Sequence, residues 1–417
     1  MTYIQNKHTV KLLTAALILI CLALSGCCEK IQPEPQPDIE NRNVLILYSD
    51  GHNNLNSSLN QDIREFVNSE GIPQKQGDVV LVYTHPTVSG YSPSKSYLIR
   101  AYRQADNTCR TDTLLTFPEE TVSADTRTLY SVLLYAKSAF PAKEYGLVVT
   151  THGTGYLPYN YYSGSAKYEN EDDFTIFSTI KRTIGADREN TVTYEMDIKD
   201  FAANIPYKLK YIVFDACLMG GVEVAYQLRN KTDYLIASQT EILSDGMDYT
   251  TMAGYLLKGD YEGFCSNYFD FYDKRTGSYR SASISLIDCG GLAALGSACA
   301  GIFSKYREGL DAIDKSKVQQ YFTYNYHWFY DFLDIVKQTG CNDFELNSVT
   351  EALDGCVLYK AATPAFLASS SSNPYPGFVM ERHSGLSMYL PCNGGKYLSS
   401  YYRTLDWNKA TGLVPAE

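Results

Sequence analysis

Leu147-Val148-Val149-Thr150-Thr151-His152-Gly153 and Tyr211-Ile212-Val213-Phe214-Asp215-Ala216-Cys217 repeat one arrangement, an apolar run of strand composition with a reactive residue just past its end. A continuous apolar run of this length is expected of a strand buried on both faces, as in a parallel sheet covered by helices. In such sheets ligands sit beyond the carboxyl ends of the strands, so His152 and Cys217 are expected on one rim.

The surrounding chain supports this reading. Val44 to Tyr48, Val79 to Tyr83, Ser96 to Tyr102 and Tyr234 to Ser238 read as further strands. Leu55, Leu59, Ile63, Phe66 and Val67 recur at helical spacing, as do Leu129, Val132, Leu133 and Ala136, and Val222 to Leu228 reads as a helix soon after Cys217. Strand, helix, strand repeated in this way implies right-handed crossovers and a mostly parallel sheet. After Tyr249 the pattern turns helical, near Tyr261–Tyr272, Gly290–Leu310, Tyr330–Thr339 and Leu346–Tyr359. Strands are expected at Ala282–Ile287 and Leu386–Leu390. The expected organisation is a core over 43–255 and a helical and strand-bearing extension over 256–417, packed on it.

Lys7 and Lys11 precede an apolar run, Leu12 to Leu24, that ends in Ser25-Gly26-Cys27-Cys28. This is the pattern of an export signal (1–26) rather than a spanning helix. Leu24-Ser25-Gly26-Cys27 resembles the bacterial lipobox, which implies cleavage before Cys27 and lipid on its thiol. Residues 27–42, with Pro33, Pro35 and Pro37, read as a tether holding the domain off a membrane. With Cys28 rather than Asp following the lipid site, the expected location is the outer membrane, its face left open. A formal net charge of −11 gives no basic footprint for nucleic acid. The eleven cysteines show no zinc-type spacing, and one or two disulfides at most are expected.

The chemistry follows from the two strand-end residues. A thiol attacks as thiolate, and a neighbouring His or a helix N-terminus brings its pKa into the working range. Gly153 lets the backbone approach a substrate carbonyl, so its N–H and that of Cys217 could bind an oxyanion.

With Phe214-Asp215-Ala216-Cys217-Leu218-Met219, the His-Gly block resembles the peptidase clan of caspases, gingipains, legumains and clostripain. Asp215 to Met219, Glu223-Val224-Ala225, Ser238-Gln239, Glu241, Gly246-Met247-Asp248-Tyr249 and Gly385 to Pro391 are similar to the clostripain-like members. The resemblance implies a caspase-like α/β/α sandwich and a cysteine endopeptidase with a Cys217–His152 dyad, acting on peptides after Arg or Lys. It also implies an acidic S1 pocket built from Asp215 and a second Asp after the next strand, Asp245, with Asp248 as its rival. Against these roles, Asp215 could simply bond strand-end backbone, and Asp245 could be a turn residue. Tyr156, Met247 and Leu243-Ser244 depart from the family pattern and are expected to alter the pocket wall.

Self-cleavage between His152 and Cys217 is a further implication, near Lys181 or Arg182. Glu169, Glu171, Asp172 and Asp173 read as a solvated loop, with Ca²⁺, an activator of some relatives, as the alternative; the chemistry itself requires no cofactor or metal. His52, past the first strand, is a candidate for the same rim, and His85 reads as a turn residue. Two rival functions remain: a non-hydrolytic binding scaffold anchored by lipid, and a peptidase of different P1 preference.

Overall fold

Five parallel strands form the middle of the molecule, in the order β2 (Val79–Thr84), β1 (Asn43–Ser49), β5 (Glu144–Thr150), β6 (Leu209–Asp215) and β7 (Thr232–Ala237). They belong to a computed structural model that describes residues 39–416 apart from 89–90, 159–160, 162–183, 190–191, 324–325, 367–376 and 394. Two antiparallel strands extend each edge: β3 (Tyr97–Arg103) and β4 (Cys109–Thr116) beside β2, and β8 (Ser283–Asp288) and β9 (Val357–Ala362) beside β7. The sheet therefore runs across residue 255, and the second half of the chain contributes two of its nine strands.

Alternation along each strand explains its continuous apolar composition. Val44, Ile46 and Tyr48 share a core with α2 (Thr126–Ala139), α3 (Val222–Leu228) and α6 (Leu292–Lys305). Leu45 and Leu47 share the other with α1 (Asn56–Val67), α4 (Tyr249–Lys258) and α5 (Tyr261–Asp273). Side chains alternate across a strand with period two, so a strand covered on both faces must be apolar at every position. The expected α/β/α sandwich with its mostly parallel sheet is the fold observed.

The differences fall at the edges. β4, Cys-Arg-Thr-Asp-Thr-Leu-Leu-Thr, carries charged and polar residues because it closes an edge, and its sequence has no strong strand signal. The helix expected over Tyr330–Thr339 is the strand Tyr326–Asp331 followed by the helix Phe332–Gln338. The one expected over Leu346–Tyr359 ends at Asp354, and Val357 begins β9. A further hairpin, Ile184–Glu189 with Val192–Met196, lies after Gly153 in sequence and bridges it at Ile184. Among the described residues no helix is long and apolar enough to cross a membrane, and the eight described cysteines carry no disulfide.

Candidate active site at the carboxyl ends of the central strands

β5 and β6 are neighbours whose last paired positions are Thr150 and Asp215. His152 and Cys217 each follow two residues later, so the register itself brings the two strand ends together. The backbones also meet. A Cβ on Gly153 would lie 2.6 Å from the Cys217 carbonyl oxygen and 3.2 Å from its amide nitrogen, which leaves room for glycine alone. Gly185 N–H donates to the His152 carbonyl (3.2 Å), making Gly153 and Ile184 a non-hydrogen-bonded bridge pair. The Gly153 N–H consequently points away from Ile184.

Three loops complete the surroundings. Past β7, Leu218 N–H donates to the Thr240 carbonyl (2.9 Å), Gly220 N–H to the Ser238 carbonyl (2.7 Å), and Ile242 N–H to Cys217 Sγ (3.3 Å). The thiol also lies 3.7 Å from the Ile242 carbonyl oxygen, so the Ile242 backbone holds the sulfur from both its N–H and its carbonyl. Leu218, directly after Cys217, is held at φ +64°, a conformation that strains a residue with a side chain by ~1–3 kcal/mol. Such strain persists only where the surroundings over-determine it, here through buried packing and the bond to Thr240. From the loop after β1, Asn54 Oδ1 lies 2.8 Å from Nε2 of the buried His152. When Nε2 donates to that carbonyl oxygen, the lone pair resides on Nδ1, giving the ring a defined basic nitrogen. Asn54 is thus placed to orient the ring, a contact that sequence reading missed; its signal was a polar loop, Asp50-Gly51-His52-Asn53-Asn54, at the carboxyl end of a central strand.

His152, Cys217, Asn54, Asp62, Asp215 and Ser244 line one cleft. Asp215 is buried beneath it, with Oδ2 accepting from Tyr249 Oη–H (2.5 Å) and Met247 N–H (3.4 Å). Burial pushes its carboxyl up to about 6 despite these bonds. The backbone bond fits the strand-end role as well as the pocket role.

Several expectations need correction. α3 begins at Val222, beyond a turn, so no helix N-terminus stands directly at Cys217. Asp245 is exposed, sits 2.5 Å from Arg275 Nη1, and lines a groove that adjoins the Cys217 cleft and shares Ser58, Asp62 and Ser244 with it. Asp248 caps α4 by accepting from Thr250 N–H (3.1 Å). Tyr156 is not a pocket wall: it is fully buried, its hydroxyl donating to the Trp328 carbonyl (2.7 Å) among Phe329, Tyr389 and Tyr402. Met247 packs in the core with α4, whereas Leu243 and Ser244 do line the cleft. Cys27, Lys181, Arg182 and Glu169 to Asp173 lie outside the described residues.

His52 and His85 are buried, with rings stacked 4.4 Å apart and planes 19° from parallel. With Asp187 they form the one trio of metal-ligand character found among the described residues. Near-parallel stacked rings cannot both aim an in-plane lone pair at one ion, and His85 already contacts Ser123 Oγ (2.7 Å) and the Ser94 carbonyl (3.0 Å). Burial pulls His85 down, but hydrogen bonding and charge from Asp187 outweigh it and raise it overall. These contacts, and Arg188 N–H on the His52 carbonyl (2.9 Å), pin the 184–189 strand to the sheet rim.

A thiol and an imidazole thus stand on adjacent strand ends at one cleft, with a glycine backbone against the thiol's own. A clostripain family model matches residues 47–412, and the chain belongs to that family of C11 peptidases. Clostripain of Hathewaya histolytica is 27% identical over 231 residues, which is 50% of this chain but only 41% of that protein. An inactive zymogen C11 protease from Parabacteroides distasonis superposes with TM-score 0.73 at 29% identity, over 90% of this chain and 99% of the other. A secreted C11 cysteine protease from Bacteroides thetaiotaomicron, solved with an irreversible peptide inhibitor, gives TM-score 0.73 at 26% identity, over 89% and 99%.

Proposed function

We propose that this chain is an exported cysteine endopeptidase in which Cys217 is the nucleophile and His152 the acid–base partner. The observation that carries the reading is the β5–β6 register, which ends at Thr150 and Asp215 and sets both residues at one cleft with Gly153 against the Cys217 backbone. In the reaction the thiolate attacks the scissile carbonyl carbon, and the oxyanion that forms accepts from the N–H groups of Gly153 and Cys217. The C–N bond breaks as imidazolium His152 gives its proton to the leaving amine, leaving a thioester. Water, deprotonated by His152, then displaces the thiolate and releases the acid. Asp215 at the cleft favours a basic P1 side chain, because a buried carboxylate leaves a neutral occupant facing an unpaired charge.

The remaining parts rest on the sequence. Lipid on Cys27 would tether the mature chain through 27–42 to the outer membrane, and one self-made cut near Lys181 or Arg182 would divide the chain between His152 and Cys217 and activate it. Ca²⁺ enters only as an activator. The Parabacteroides relative was solved as an inactive zymogen, which is compatible with an activation step in this chain.

The test is hydrolysis of fluorogenic peptides with P1 Arg, Lys, Asn, Asp or Ala by the chain from residue 28 onward, with and without Ca²⁺, against Cys217→Ala. Turnover at Arg or Lys that vanishes in the variant is expected. Turnover at another P1 alone would keep the dyad and discard the acidic pocket. No turnover, with Cys217 alkylated no faster than the buried Cys265 and Cys299, would sink the peptidase reading and leave the binding scaffold.

A further inference from the structure

Leu55, Ser58, Leu59 and Asp62 follow one another at i, i+3, i+4 and i+7, and all four line the Cys217 cleft, so α1 and the residue before it lay one stripe along it. On this stripe Asp62 is anomalous. It is only 5% exposed, and no donor or cation among the described residues reaches its carboxylate. The charges that act on it are acidic, Asp215 from β6, Glu65 on its own helix and Asp245 from the loop before α4, and Arg275, which lines an adjoining groove with Asp62, is paired with Asp245. Glu241 and His152 line the same cleft. A largely buried carboxylate without a donor is unfavourable, so in the empty site the group holds its proton, and an entering cation would let it ionise.

We propose that Asp62 is the second specificity-determining carboxylate of this site, acting with Asp215 to hold the guanidinium or ammonium of a substrate's P1 side chain. The proposal rests on the peptidase reading above. It reassigns the place expected for Asp245, whose carboxylate Arg275 already occupies. A guanidinium presents five donors in a planar fork and can bridge two carboxylates, which an ammonium does less well, so Arg is favoured over Lys. Burial and then the charge of Asp215 raise the empty-site carboxyl of Asp62 to about 8. An entering cation displaces that proton, so binding of basic substrates weakens as pH falls.

The experiment compares Asp62→Asn and Asp245→Asn with wild type on peptides that differ only in P1, Arg against Ala. Asp62→Asn is expected to lower the Arg/Ala ratio of kcat/KM by roughly 10- to 100-fold, chiefly through KM on the Arg peptide. Its thermal midpoint is expected at or above wild type, since Asn avoids the cost of protonating in the fold a carboxyl that is ionised in the unfolded chain, and Asp62→Ser repeats the test if the amide misfolds. Alkylation of Cys217 by neutral iodoacetamide reports the thiol independently of P1 binding. Asp62 variants that keep the ratio within about threefold, while Asp245→Asn loses it, would overturn the assignment and leave a basic pocket standing. Wild type inactive on P1 Arg and Lys but active at another residue would overturn the basic pocket and Asp62 together.

Discussion

Two buried acids on opposite faces of the sheet make the useful comparison. Glu223 on α3 is fully buried, and its Oε1 accepts from Tyr389 N–H (2.8 Å) and Tyr402 Oη–H (2.6 Å). Asp215 ends β6, accepts from Tyr249 and Met247, and opens on the cleft shared with the unpartnered Asp62. Burial raises both, Glu223 to about 7 and Asp215 to about 6. Glu223 takes its donors from residues more than 160 positions away, so it ties α3 to the end of the chain. Asp215 has donors of its own, and the acid short of them at the cleft is Asp62. Neither face is fully paired, since Glu223 Oε2 meets no donor among the described residues; the difference is that Glu223 is closed into the core, whereas Asp215 and Asp62 line a cleft.

The largest effect that could break this division is on turnover. Cys217→Ala is expected to lower kcat by roughly 10⁴- to 10⁶-fold, while Glu223→Gln changes kcat/KM by less than about fivefold. Comparable losses in steady-state assays of the two would place the chemistry on the wrong face. Asn54→Ala should come next, with kcat/KM down about 10- to 100-fold, because a misdirected imidazole loses alignment with the thiol. Unchanged kinetics in that variant would remove Asn54 from the orienting role.

On the structural side, Glu223→Ala should lower unfolding free energy by about 3 kcal/mol in urea titrations, leaving the Tyr389 N–H and Tyr402 hydroxyl unpaired. Glu223→Gln keeps an acceptor and should lose under about 1 kcal/mol. The smallest effect is in pH. Because the folded-state pKa of Glu223 is raised from 4.5 to about 7, the folded state binds the proton more tightly than the unfolded chain. Stability from this group is present below about pH 4.5 and declines as pH rises towards 7. A wild-type melting curve series should show that decline, and Glu223→Gln should flatten it; parallel profiles would mean that the glutamate is already ionised in the fold.

Reading the chain alone recovered the parts that depend on local composition. Val44–Tyr48, Leu147–Val149 and Tyr211–Phe214 are apolar at every position because both faces are covered, and that pattern survives in one dimension. It also showed His152 and Cys217 standing past strand ends, and thereby the rim on which chemistry was to be sought. β4 escaped because an edge strand is half solvated and reads as polar loop. β9 merged with the preceding helix because Leu353 to Tyr359 offers an unbroken apolar rhythm across a boundary set by Gly355.

The pocket was a different matter. Asp245 lies in the expected motif and Asp62 in an ordinary amphipathic helix, and nothing in the linear order distinguishes an acid that meets Arg275 from one that meets no donor. Tyr156 likewise looked like a wall residue and proved to be core. Thus the amino-acid sequence determined the sheet, its helices and the two reactive strand ends, since hydrophobic periodicity and the residue after a strand are local properties. Only the tertiary structure decided which carboxylates share the cleft and which residue orients His152, because desolvation and donor supply depend on what distant segments bring to the same few cubic ångströms.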